Sequence, residues 1–456
     1  MTMKTLRNII TVAAILTSSV AMAQNLETSY FVEGNLYRHQ LNPALADEST
    51  MNGYVSFPAL GNINEGIHGT LGAKDLFFAK NGKTVSFLHP SVTKEEFMKN
   101  IKDENQFGDN FKLQILGVGF KGFQGYNTIE VSVRGSVEAI LPGTLFEIAK
   151  TGLTNRTYDI SALDAHADAY AEIALGHSHK INDKLRIGAK LKVLLGGGNL
   201  DLDMSDAHLE LGTDGKYKAI VNGQVQTSVK GLQYKENKDG NVDDVKVDGA
   251  GLNGFGLALD LGGQYKINDN ISVSAALLDL GYISWSNNMV ASTKGNKTFD
   301  MSDFAYDADK DGFYDSKDRK IEDAWDDFKD VYQLKSEGDK GSRSTGLAAT
   351  MNIGVEYKAP FYDKLSFGLL NTTRMNGDYS WTDFRLSANV APTKSFAASA
   401  SLSAGTFGVG FGWLLDLHTK GFGIFLGMDR MVAKTDKNNI PLTSNMEVNF
   451  GVNFPF

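Results

Sequence analysis

From Met446 to Phe456 every even position is apolar (Met446, Val448, Phe450, Val452, Phe454, Phe456), with Glu447, Asn449, Gly451 and Asn453 between them. A period of two marks a strand whose two faces meet different surroundings. The pattern recurs along the chain. Ile129, Val131, Val133 and Val137 alternate with Glu130, Ser132, Arg134, Ser136 and Glu138. Leu185, Ile187, Ala189, Leu191, Val193 and Leu195 alternate with Arg186, Gly188, Lys190 and Lys192. Leu257, Leu259 and Leu261 oppose Asp260 and Gln264, and Met351, Ile353, Val355 and Tyr357 oppose Asn352, Gly354 and Glu356. Phe384, Leu386, Ala388 and Val390 oppose Arg385, Ser387 and Asn389, while Phe407, Val409, Phe411, Trp413 and Leu415 oppose three glycines and Asp416. Many such segments of about ten residues predict an all-β protein, a transmembrane antiparallel β-barrel of roughly 14 strands lying mostly between residues 110 and 456.

A soluble sandwich also alternates, but two features argue for the membrane. Aromatic residues recur near the predicted strand ends (Tyr265, Tyr282, Trp285, Tyr357, Trp381, Trp413), as in interfacial girdles, and proline is nearly absent from the strand-rich half. The polar face then becomes the lumen. It carries both signs of charge (Glu130, Arg134, Arg186, Lys190, Asp260, Glu356, Arg385) and a glycine row, Gly408, Gly410 and Gly412.

Other stretches do not read as wall. Lys4 and Arg7, the apolar run Ile9 to Val20 and Ala21-Met22-Ala23 follow the order of a secretory signal, so residues 1–23 are expected to be cleaved after export. The apolar run is too short and too interrupted to span a bilayer. Residues 24–109 contain Leu41-Asn42-Pro43-Ala44, Phe57-Pro58 and the capping-box pattern Thr93-Lys94-Glu95-Glu96, with Phe97 and Ile101 as a helical apolar side. This region is expected to plug the lumen. Residues 287–343 form a long acidic insertion in the 110–456 barrel, in which Ile321, Trp325, Phe328 and Tyr332 recur at helical spacing. Residues 232–250 read as a polar hairpin tip.

Composition excludes several classes. The chain has 45 basic and 54 acidic residues, a formal charge of -9, and loss of Lys4 and Arg7 with the signal makes the mature charge -11. That balance disfavours nucleic acid and favours cations. No cysteine is present, which removes disulfides, thiolate catalysis and a lipidated N-terminal cysteine.

The sharpest chemical motif lies in the insertion, at Asp307-Ala308-Asp309-Lys310-Asp311-Gly312-Phe313-Tyr314-Asp315-Ser316-Lys317-Asp318. Asp307, Asp309, Asp311, the Phe313 carbonyl, Asp315 and Asp318 stand at the ligand positions of a loop that wraps Ca²⁺, with Gly312 at the sharp turn. The alternative is a solvated acidic loop. A structural calcium ion is expected here, with Asp318 a shorter arm than the usual glutamate. Gly117-Val118-Gly119-Phe120-Lys121-Gly122 fits the dinucleotide fingerprint formally, but without a βαβ unit these are strand glycines. His177 and His179 share one strand face without a third ligand and read as a polar lumen or rim pair. No local hydrolase or phosphate-loop motif is present, so no enzyme is expected.

Ser29-Tyr30-Phe31, Leu41-Asn42-Pro43-Ala44, Tyr54-Val55-Ser56-Phe57-Pro58 and the Phe-terminated last strand together resemble a family of Bacteroidetes outer-membrane proteins of unknown function, DUF5723. More distantly, Asn-Pro-Ala after the signal followed by about 14 strands is similar to fatty-acid transporter barrels and to barrel components of the type IX secretion system. The resemblance implies a plugged outer-membrane barrel carrying a lipophilic ligand or a protein partner. Two functions follow as expectations. One is passive transport of a small or hydrophobic solute. The other is a non-catalytic scaffold or secretion component that docks a protein partner through the calcium loop.

Overall fold

The alternation closes a ring. A computed structural model describes residues 26–46, 53–57, 62–152, 154, 156–211, 216–238, 240–249, 251–300, 333–431 and 445–456. Its wall is a meander of 14 antiparallel strands. Strand β1 comes in two pieces, Gly53–Ser56 and Asn62–Gly69, followed by β2 (Glu104–Gly122), β3 (Gly125–Pro142), β4 (Asp164–Lys180), β5 (Leu185–Leu211), β6 (Gly254–Lys266) and β7 (Ile271–Trp285). The ring continues through β8 (Ala349–Lys358), β9 (Leu365–Met375), β10 (Trp381–Thr393), β11 (Phe396–Gly405), β12 (Gly408–Thr419), β13 (Phe422–Arg430) and β14 (Met446–Pro455). Closure is made by β1, which pairs with β14 (Ile63 opposite Phe450) and with β2 (Ile63 opposite Leu113). A closed sheet leaves no unpaired edge in lipid.

Burial confirms which face is which. Leu386 is 57% exposed and its neighbour Arg385 2%. The apolar side chains therefore face out and the polar ones fill the lumen, which is a membrane barrel turned inside out relative to a soluble core. Among the described residues no helix is long and apolar enough to cross a membrane. Tyr265, Tyr282 and Tyr357 do lie on the outer surface, but Trp285 and Trp381 face inward and are buried. Gly196 and Gly254 open the space that the Trp285 indole fills, and its Nε1 donates to Thr345 Oγ1 at 2.9 Å.

The two rims differ. Strands join through the short turns 122–125, 180–185, 266–271, 358–365, 393–396 and 419–422 at one end, which is also the end of the last strand. The other end carries the long connections besides two short ones, 375–381 and 405–408, and there β5 runs for 27 residues, far beyond the ~9–11 that span a membrane. Its outer half pairs with Lys216–Val229, which pairs in turn with Met289–Asp300, so a sheet stands above the long-loop rim.

Residues 24–109 divide differently from the expected single plug. Residues 26–46 fill the lumen, Gly53–Ser56 and Asn62–Gly69 belong to the wall, and β2 already starts at Glu104. The wall piece was hidden because Asn62, Asn64 and His68 face in while only Ile63 and Ile67 supply the outer face, too little contrast to read as a strand. The capping-box helix forms at Lys94–Met98, with Glu96 N donating to Thr93 Oγ1 at 3.2 Å. It sits outside the lumen, where Phe97 stacks on Phe87 at 4.3 Å and touches Phe146 of the helix Gly143–Thr151. The hairpin expected at 232–250 is present as Leu232–Glu236 paired with Val242–Val247. Gly117–Gly122 is part of β2. Residues 1–23, the loop Asp307–Asp318 and the helical pattern Ile321 to Tyr332 lie outside the described residues.

Candidate functional site

The lumen is occupied by three short 3-10 turns, Glu27–Ser29, Leu36–Gln40 and Pro43–Leu45. Asparagine starts two of them. Asn35 Oδ1 accepts from Tyr37 N at 3.0 Å and Asn42 Oδ1 from Ala44 N at 3.0 Å, with Pro43 supplying a preset φ at the first position. The turns close backbone hydrogen bonds within the plug, such as Tyr30 N to Glu27 O at 3.0 Å and Leu45 N to Asn42 O at 2.9 Å.

Three seats hold it. At the first, Asp429 accepts from Glu27 N at 2.5 Å and Thr28 N at 2.7 Å, while Arg385 reaches Glu27 Oε2 at 2.9 Å, Ser401 Oγ at 3.1 Å and Asp383 Oδ2 at 3.3 Å. Burial, opposed by Arg385, pushes the Glu27 carboxyl up to about 7. At the second seat Asn42 Nδ2 donates to Tyr30 Oη at 3.0 Å and to the wall carbonyls of Gly263 and Ala275 at 3.3 Å each. Asn352 Nδ2 returns a bond to Leu41 O at 2.9 Å. At the third, His39 Nε2 meets Tyr54 Oη at 3.0 Å, and Gln40 Nε2 donates to Glu130 at 2.5 Å and Gln114 at 3.1 Å. Burial, with Lys190 and Lys112 close by, lowers the His39 pKa to about 3 despite Glu130, so the ring is neutral at physiological pH.

Glycines make the seats fit. A Cβ on Gly188 would lie 2.4 Å from Pro43 C, and one on Gly262 would lie 2.1 Å from Asn42 Oδ1. Gly368 would strike Phe31 at 2.1 Å, and Gly412 would meet Thr28 Oγ1 at 2.6 Å. These are wall positions where any side chain excludes the plug. Of the glycine row read in the sequence, Gly412 seats the plug, Gly410 lies under Arg430 and Gly408 closes the turn before β12 at φ +83°. Apolar contact completes the fit, with Leu26, Val32 and Tyr37 on Leu414 and Phe425, and Tyr30, Phe31, Leu41 and Leu45 on Leu370.

The expected lumen charges all face in, but the structure sorts them into separate groups. Glu130 pairs with Lys190 under the plug. Arg134 and Asp260 belong to one buried network with Lys192, Glu172 and Asp279, in which Arg134 grips Asp279 at 2.8 and 3.0 Å. Arg186 donates to Ala46 O at 3.0 Å, and Glu356 accepts from Ser272 Oγ at 3.3 Å near the short-turn rim. Asp279, Asp429 and Glu27 were missed. Asp279 sits at a bulge with φ +60°, which breaks the alternation around it, and Asp429 meets Glu27, and Glu27 meets Arg385, only through contacts more than 350 residues apart. His177 and His179 are stacked with ring centroids 5.8 Å apart on the outer face near the short-turn rim, His177 Nδ1 lying 2.9 Å from Asn127 Oδ1. Among the described residues no group of three or more metal-ligating side chains converges.

The plug separates two spaces. On the long-loop side a cavity of about 70 Å³ lies over Glu27 and Leu41, walled by Asn110, Lys112, Arg134, Tyr170, Arg374 and Trp381. On the short-turn side a cavity of about 460 Å³ is bounded by Arg38, Leu45, Arg186, Gln264, Glu356 and Lys358.

A family model described as "Family of unknown function (DUF5723)" matches residues 43–429. No curated protein matches. Among solved structures, the toluene transporter TbuX of Ralstonia pickettii is 9% identical, covering 97% of this chain and 96% of its own, with a TM-score of 0.42. The toluene transporter TodX of P. putida is 9% identical over 97% of each chain, TM-score 0.41. A Pseudomonas aeruginosa FadL homologue is 10% identical, covering 95% and 98%, TM-score 0.41.

Proposed function

The chain belongs to the DUF5723 family of unknown function, and from the construction of its lumen we propose an outer-membrane barrel for passive transport of a small or hydrophobic solute, gated by residues 26–46. The observation that carries this reading is the manner in which the plug is held. It rests in glycine seats on hydrogen bonds and ion pairs to the wall, with space on both sides. The polar seats can exchange their hydrogen bonds for water one at a time, while the apolar clusters on Leu414 and Phe425 and on Leu370 favour the closed state. Export by a cleaved signal and an orientation with the long loops outward complete the proposal.

The test is conductance and solute-swelling of proteoliposomes containing the full chain or a variant lacking residues 26–46. Deletion is expected to raise conductance at least about tenfold, since each 1.4 kcal/mol of seating free energy is a factor of ten in the open population. Heat-modifiable migration verifies that the barrel has closed. A folded deletion variant that conducts no more than the full chain would sink the gate.

The acidic loop 307–318 is proposed, on its sequence alone, as a structural Ca²⁺ site. Calorimetry on the full chain is expected to show calcium binding at or below millimolar concentration, lost when Asp307 and Asp311 are both changed to Asn. Equal heats for the two proteins would dismiss it.

A further inference from the structure

We infer that the cavity on the long-loop side of the plug is a binding site for the carboxylate of a small organic acid. The inference rests on the transport reading for its purpose but not for its chemistry. Arg374, Trp381, Asn110 and Lys112 line this cavity, and each is more than nine-tenths buried. Arg374 Nη2 donates to Asn110 Oδ1 at 3.2 Å, and Arg374 stands opposite Trp381 in the pairing of β9 with β10, so these groups form one neighbourhood.

Three of their donors are unused. Among the described residues Arg374 Nε, Trp381 Nε1 and Asn110 Nδ2 have no acceptor. A tryptophan N–H can only donate, and a buried guanidinium N–H left open costs free energy of the order of 1–3 kcal/mol. The acidic side chains lining the same cavity are already committed. Glu27 is held by Arg385, Asp279 by Arg134 and Lys192, and Asp168 accepts from Ser136 Oγ at 2.8 Å. Glu138 and Asp109 also keep oxygens without donors, but neither lines the cavity. Three buried donors at this cavity are therefore without an acceptor among the described residues.

The size and shape of the cavity select the acceptor. About 70 Å³ is several times the ~10–15 Å³ that one water needs and far too little for an extended alkyl chain. Two oxygens on one carbon match an arginine edge and a neighbouring N–H. Phe111, Tyr170 and Leu347 provide apolar wall for the rest of a compact acid. Soluble acids and the head of an amphiphile offer the same group, and the probes below separate them.

The experiment is titration calorimetry on the full chain in detergent with acetate, ethanol and dodecanoate, repeated on Arg374→Gln and Trp381→Phe. Acetate, small enough for about 70 Å³, is expected to bind saturably and ethanol at least about tenfold more weakly, with Arg374→Gln losing roughly tenfold or more, the scale of a hydrogen bond to a charged group. Trp381→Phe, which keeps the ring and removes the N–H, is expected to lose several-fold. Dodecanoate binding more tightly than acetate with the same Arg374 dependence would place the carboxylate on an amphiphile. No acetate binding, equal binding of the alcohol, or indifference to both variants overturns the site. Binding that survives in a barrel whose liposomes take up no solute would leave the site standing and remove the transport reading.

Discussion

Valine at both Gly188 and Gly262 is expected to drive the plug from its seat and turn a closed barrel into a conducting one. Both glycines belong to the wall, in β5 and β6; Gly188 faces Pro43 and Ala44, and Gly262 faces Asn42, Pro43 and Ala44. The shortest approaches, 2.4 Å to Pro43 C and 2.1 Å to Asn42 Oδ1, leave no room for even a methyl group. Overpacking costs typically ~1–3 kcal/mol per site, and here the wall is fixed by hydrogen bonds on both flanks, so the plug must yield. Displacement also breaks the Asn42 bonds to Gly263 O and Ala275 O. The sum, about 2–6 kcal/mol, corresponds to an increase of roughly thirtyfold or more in the open population. Planar-bilayer conductance reads it directly. Gly263→Val is the control, because a Cβ there meets nothing closer than Arg186 O at 4.0 Å. If the double variant is folded and as tight as the control, the glycine seats do not set the plug position.

Arg385→Leu is expected to be the most destabilising single change in the lumen. The guanidinium faces three carboxylates, Glu27, Asp383 and Asp429, and is itself 2% exposed. Arg430 still reaches Asp383 at 2.7 Å, but Glu27 loses its ion-pair partner. Removing one partner of a buried ion pair typically costs ~3–5 kcal/mol, because the remaining charge is stranded. The midpoint of heat-modified migration should fall accordingly, and Leu26 to Tyr30 should become protease-sensitive.

The loss should depend on pH with a definite sign. The Glu27 carboxyl is raised by burial from 4.5 to about 7, with Arg385 already opposing that rise, so removing the arginine raises it further. A raised folded-state value means that the plugged state binds the extra proton. Stability is therefore fully present below pH 4.5 and is lost as the pH climbs through about 7. The deficit of Arg385→Leu should be smallest near pH 5, largest above pH 8, and reduced above about pH 7, with little change near pH 5, by adding Glu27→Gln. A deficit independent of pH would place the damage elsewhere than Glu27.

Much of this protein is present in its residue order. Period-two alternation is local: each strand carries its own lipid face and lumen face, so Phe384 to Val390 or Met446 to Phe456 announces orientation without reference to any neighbour. The barrel, its size and the inward charges follow from that. The asparagine and proline of Leu41-Asn42-Pro43-Ala44 likewise specify a tight turn locally, which is why a non-wall segment could be recognised there. Where alternation weakens, legibility ends. Asn62 to Gly69 has too few apolar residues to mark its outer face, the bulge at Asp279 shifts the phase, and Trp285 and Trp381 look like girdle residues until glycines and neighbouring strands draw them inside. Only closure of the sheet brings Arg385 to Glu27 and Asp429, sets Gly188 and Gly262 beneath Pro43, and gathers Arg374, Trp381 and Asn110 around one cavity. Those are relations between strands far apart in the chain, fixed by register and curvature, and no local periodicity encodes which lumen side chain will meet which.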